Sequence, residues 1–241
     1  MKPKIQISEA EMPSAIEPRS VPKTMIHWPS AFRLKPAKLP ATQPLAILEP
    51  EGVESLISLK DMTSPSARHR EKSVLLQHNM PVGVSETVVS AFATSVPEWR
   101  FAARGTAHMV LASSIAAAIS VASEIYGQFL RDTNQPTSCL SFSVERFCLT
   151  GNFADVCERE TFPSCYEDQN KEAPQGLVNA FSIAGEDGLI FESSAGQAAI
   201  VLNPQAITRG GLERAVALEW SGSQFHRAFD YRDMYWRDLA S

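Results

Sequence analysis

The chain has 241 residues, 44% of them hydrophobic and 20% charged, with a formal net charge of -5. That length and apolar content are enough for a globular body with a sizeable core. The acidic balance excludes a whole-surface nucleic-acid binder, which needs a clustered basic face to neutralise phosphates.

The first 50 residues hold nine of the sixteen prolines and no glycine. Proline fixes φ and pushes its predecessor toward extended backbone, so this stretch is expected to run as stiff, extended chain. Acidic residues and prolines near Met1 interrupt any apolar run of the kind an export signal needs. The expected location is cytoplasmic or within an assembled particle. Charge divides at the same place, with +3 over residues 1–50 and -8 over the remainder. Residues 1–50 are therefore expected to form an extended, Pro-rich, basic arm, and residues 51–241 a single α+β body. Disordered tails avoid large apolar side chains, yet this arm carries Ile26, Trp28, Phe32 and Leu34 among Arg33, Lys35 and Lys38. The apolar four are candidate anchors for a neighbouring surface, and the three cations are candidates for steering it.

Ser85 to Val96 reads as a short helix opened by a serine cap. Thr106 to Arg131 carries Leu111, Ile115, Ile119, Ala122, Ile125 and Phe129 at spacings of three and four, which predicts a long central helix. Its uncharged run is barely at the lower limit for a bilayer and is rich in alanine and serine, so packing inside the domain is the expectation. From Thr137 the period changes to two: Leu140, Phe142 and Val144 alternate with polar residues, as in a half-buried strand. A long acidic insertion follows from Asp155 to Gly176. The stretch from Gly176 to Pro204 then predicts a hairpin bent at Gly185 to Gly188 and a third strand around Ala199 to Leu202.

The end of the chain, Leu212 to Ala240, predicts two helices broken at Ser221 and Gly222. Phe225, Phe229, Tyr235 and Trp236 crowd the second, and such residues suit a surface that is apolar with a wet rim. They are candidate interaction residues. The expected fold class is thus α+β: a long central helix packed on an antiparallel β-meander, with an extended arm before it and C-terminal helices after it.

Chemical signatures are sparse. Cys139, Cys148, Cys157 and Cys165 are eight or nine residues apart, without the close pair that holds zinc, and are expected as free thiols. No phosphate-cradling glycine loop, metal-binding histidine pair or nucleophile elbow is present in the sequence. His226 and Asp230 are four apart and would form a surface ion pair on a helix. No catalytic residue, metal or cofactor is assigned. The reading is a non-enzymatic structural or assembly subunit, of a capsid-like particle or multiprotein machine, whose arm reaches a neighbouring subunit. Its expected partners are protein subunits in a homo- or hetero-oligomer, with no membrane. A long helix followed by a sheet is also compatible with a hotdog-like acyl-thioester enzyme using His108 and Glu124, and the basic arm with an accessory nucleic-acid binder.

Overall fold

The computed structural model describes residues 18–36, 88, 92, 97–102, 108–167 and 170–239. The elements in chain order are β1 (Lys23–Pro36), β2 (Met109–Ala112), helix α1 (Ile115–Asp132), β3 (Ser138–Asp155), helix α2 (Glu172–Ala184), β4 (Gly188–Ser193), β5 (Gly196–Val201), β6 (Ile207–Trp220), β7 (Phe225–Asp230) and β8 (Tyr235–Asp238). The strands lie in one sheet in the order β1-β2-β5-β4-β3-β6-β7-β8, and β1 also pairs with β3. The first five in that order therefore close a ring, from which β6, β7 and β8 extend beyond β3. Two joints of the ring are narrow. β1 meets β2 at the single pair Phe32 and Ala112, and β3 meets β4, in parallel, at Ala154 with Leu189 and Asp155 with Ile190.

This architecture corrects the expected fold class. The sheet is mixed and dominates the described chain, and it is no antiparallel meander under a long central helix. The N-terminal segment is not an outreaching arm over Lys23–Pro36, because β1 pairs antiparallel with β3 along its length, from Lys23 opposite Ala154 to Pro36 opposite Phe142. Pro29 fits because β1 shifts register between Trp28 and Ala31, where a missing ladder donor is tolerated, and Pro36 is the last residue of the strand. Lys38 and the parts of the expected arm before residue 18 and after residue 36 fall outside the described residues.

The helix predicted from Thr106 begins at Ile115. Met109–Ala112 are instead a strand, buried at all four positions. A strand apolar on both faces has no period of its own to separate it from a helix. Ser114 then starts α1 as its N-cap, its hydroxyl accepting from the Ala117 amide at 3.0 Å. Further on, the expected first arm of the hairpin is α2, whose Leu177, Val178 and Phe181 recur at helical spacing and are buried. Gly185, left-handed at φ 71°, ends it.

The C-terminal helices are also overturned, since β6, β7 and β8 occupy that stretch. In β6, Val216, Leu218 and Trp220 alternate inward. Phe229 and Trp236, seven apart, would share a helix face after two turns. Here they face each other across the β7–β8 hairpin with ring centroids 5.2 Å apart. A hairpin and a helix can bring the same two residues together, and spacing alone does not separate them.

The core has two parts. One lies between the sheet and the helices, joining Phe142, Val144, Phe191 and Trp220 to α1 and α2. The other gathers Met109, Leu111, Phe147, Leu149, Phe153 and Val201, with Val88 and Phe92 packed among them. Along β3, Phe142 and Val144 serve the first and Phe147, Leu149 and Phe153 the second, so successive faces of one strand are both covered.

The outer strands are tied by charge. Asp230, almost fully buried, accepts from Arg214 Nη1 at 2.8 Å and lies 3.3 Å from Arg237 Nη2. Burial opposes its ionisation, but the Arg214 hydrogen bond and the Arg232 amide outweigh that and hold its pKa below the ordinary value. A carboxyl more acidic folded than unfolded contributes stability above its unfolded pKa of ~3.9. That contribution is lost as pH falls through the lower folded value. Asp230→Asn is expected to cost ~3 kcal/mol at neutral pH, by leaving the arginines without their buried partner. The variant should also lose part of the acid dependence below pH ~4. Urea midpoints at pH 7, 4 and 3 check both, and parallel curves for the two proteins would contradict the assignment.

Candidate functional site

The narrow β1–β2 joint sets the site. Beyond Phe32 and Ala112 no further pair links the two strands, and a cleft lies there against α1. It is lined from β1 by Phe32, Arg33 and Leu34, from β2 by Val110 to Ala112, and from α1 by residues including Val121, Ile125 and Tyr126. The α1 wall follows from sequence: Ala118, Val121, Ala122 and Ile125 fall on one stripe and are buried. Small residues at 118 and 122 leave room where larger ones would fill it.

Arg33 is the unusual member. Its residue is only 7% exposed, and its Nη1 has no hydrogen-bond partner among the described residues. Glu145 stands directly opposite on β3, with Oε2 3.6 Å from that nitrogen. That is within ion-pair range but beyond a hydrogen bond, and Oε2 is likewise unpartnered among the described residues. Lys35 Nζ lies 3.8 Å from the other oxygen of Glu145. Burial lowers the pKa of Arg33, against the attraction of Glu145. Arginine remains charged through such a shift because its reference value is so high. Burial also pushes the Tyr126 phenol up to about 12, against the field of Arg33, so the hydroxyl keeps its proton at neutral pH and can donate.

The other residues singled out in the sequence are dispersed. Ile26 and Leu34 are buried in different parts of the core. Trp28 packs partly buried against the same part as Ile26, and Phe32 against the helix-side part. Phe225 is buried against Trp220, with ring centroids at 5.2 Å. Phe229 lies between Tyr231 and Trp236, and Tyr235 and Trp236 are about half exposed at the sheet's far end. The structure thus brings Phe32, Arg33 and Leu34 to one cleft and Phe229, Tyr235 and Trp236 to another place entirely. Sequence reasoning does not reach Val110, Val121 and Tyr126; only knowing that β2 and α1 flank β1 joins them to Arg33.

The hotdog-like pair does not assemble as an acid and a base in a seam. His108 is buried just ahead of β2, while Glu124 is engaged by Arg100 through Nε at 2.8 Å and through Nη2. His226 lies on a strand, 3.4 Å from Glu219, and not in a helical pair with Asp230. The cysteines are free, with Cys165 buried and Cys139 exposed. Among the described residues no cluster of histidine, cysteine or acidic side chains could hold a metal ion, and no helix is long and apolar enough to cross a membrane.

A second hollow, lined by His27, Pro29, Ser30, Arg146, Cys148 and Gly210 among others, lies over the register shifts of β1 and β3. His27 Nδ1 is 2.8 Å from the Thr150 hydroxyl, and Arg146 is 3.4 Å from Glu213. His27 and Arg146 there already have protein partners.

No protein-family model matches the chain, and no curated protein matches it either. Among solved structures it is similar to a chain of the M. tuberculosis MbcT-MbcA toxin-antitoxin complex, with a TM-score of 0.42 and 13% identity over 82% of this chain and 87% of that one. The correction to the subunit-arm reading is in the fold, where Ile26, Arg33 and Leu34 are committed to the interior of their own chain.

Proposed function

We propose that the protein binds a small anionic ligand at Arg33, in the cleft between β1, β2 and α1. One observation carries this reading: the buried guanidinium of Arg33, one of whose N–H groups has no hydrogen-bond partner among the described residues, belongs to a residue that lines the cleft. Leaving a charged donor unsatisfied in low dielectric costs more than 1–3 kcal/mol, roughly the figure for a neutral group. A buried polar group without a partner calls for an explanation, and a bound ion or a functional role is among those that native structures supply. Glu145 offsets the charge in part but not the hydrogen bond. An anion in the cleft would pair with the guanidinium, and charge-assisted pairs to arginine are among the stronger hydrogen bonds.

The test is a thermal melt of the full chain at constant ionic strength in chloride, formate, acetate, nitrate, sulfate or phosphate. A ligand present at ~100 times its Kd should stabilise the fold by ~2.7 kcal/mol. Arg33→Lys retains the charge and loses the planar fork, so the same anion should bind ~10-fold more weakly. If no anion moves the midpoint of the parent protein, the reading fails.

A further inference from the structure

We infer that the ligand at Arg33 is a small monocarboxylate whose remaining atoms are apolar. This rests on the anion reading above and narrows it by wall chemistry and by charge.

The walls come first. Apart from Arg33 and Tyr126, the described side chains around the cavity are apolar, with Leu34, Val110, Val121 and Ile125 among them. A group carried behind the anion therefore meets hydrocarbon, which favours apolar surface and penalises hydroxyls without partners.

Charge decides between a monoanion and a dianion. Arg33 and Lys35 against Glu145 leave an excess of one positive charge. A single negative charge neutralises that group. A dianion would leave a buried negative charge beside Glu145, which low dielectric makes expensive. Glu145 also lies 3.6 Å from Arg33 Nη1, so it competes with the incoming carboxylate for the guanidinium. The Tyr126 phenol adds a neutral donor to the lining and no negative charge, since burial keeps it protonated.

The experiment uses the full chain with propionate, benzoate, propionamide and inorganic phosphate as probes, read by titration calorimetry and by melting midpoint. Propionate or benzoate should bind saturably, and the neutral isostere propionamide should bind at least ~10-fold more weakly, the loss expected for a charge-assisted pair. Glu145→Gln removes the competing charge and should tighten the carboxylate by at least ~5-fold, a low figure for relieving one close like-charge contact. Arg33→Lys should weaken it. Should Arg33→Lys not fold, the propionate-to-propionamide ratio and the Glu145→Gln effect still decide the matter. Phosphate binding without propionate binding would overturn the monocarboxylate while leaving an anion site intact. Equal binding of propionate and propionamide would overturn it by removing charge from recognition. No binding by any probe would end both readings together.

Discussion

Gly188→Ala is expected to unfold the protein or to cost more than ~4 kcal/mol, the range reserved for severe backbone or core damage. Gly188 has φ 144°, and a Cβ there would lie 1.9 Å from the carbonyl oxygen of Ile200, with Phe153 Cε1 at 3.1 Å. The obstruction is backbone, so no rotamer change relieves it. The residue opens β4 at the junction where the ring closes. Gly188 pairs with Val201, and its neighbour Asp187 accepts the Asn152 amide at 2.8 Å and the Asn203 side-chain amide at 2.9 Å. Moving that backbone separates β4 from β5 and weakens the two-residue parallel joint to β3. Gly176→Ala is the control, because it lies in α2 with nothing within 4 Å of its added Cβ. Alanine there should stabilise by ~0.5–1 kcal/mol, the usual penalty of a mid-helix glycine. Urea midpoints of the two variants should move in opposite directions, and a normal midpoint for Gly188→Ala would show that the β4–β5 junction is not tight.

These elements also show what the sequence makes visible. The strand at Leu140, Phe142 and Val144 is legible because alternation over several residues has one structural meaning. The start of α1 is not, because Met109–Ala112 are buried on both faces and carry no alternation. The C-terminal strands escape sequence reading because β6 carries an extra residue opposite each of the Val144–Glu145 and Phe147–Cys148 steps of β3, and β7 one opposite the Glu219–Trp220 step of β6, which interrupts the period of two. Aromatic residues then fall at spacings that a helix also satisfies. Composition marks Arg33, but as a surface cation steering an arm. Its burial arises from pairing with β3, more than a hundred residues further along the chain, and local composition contains nothing of such a contact. The cleft combines three elements that are far apart in sequence, so its residues are visible singly and its chemistry is not.

Trp220→Ala is the second large effect, expected to lower stability by ~4 kcal/mol, within the range for removing a buried aromatic. Trp220 is fully buried and donates from Nε1 to the Gln135 carbonyl at 3.1 Å. It therefore fixes the link between α1 and β3 to the end of β6, where it pairs with Ser138. Its ring also sits against the helix: a Cβ on Gly127 would be 3.6 Å from Trp220 Cζ3. Tyr126, one residue before, reaches the Arg33 cleft. Losing the indole leaves a void under the last turns of α1 and frees the wall of the site at the same time. Trp220→Phe separates these effects, since it keeps most of the packing and gives up the hydrogen bond, at ~1 kcal/mol plus a smaller packing loss. Chemical denaturation should rank the parent above Trp220→Phe and that above Trp220→Ala, with ligand affinity at Arg33 falling in the same order. An alanine variant that is destabilised but binds its anion with parent affinity would show that α1 holds Tyr126 in place without the support of β6.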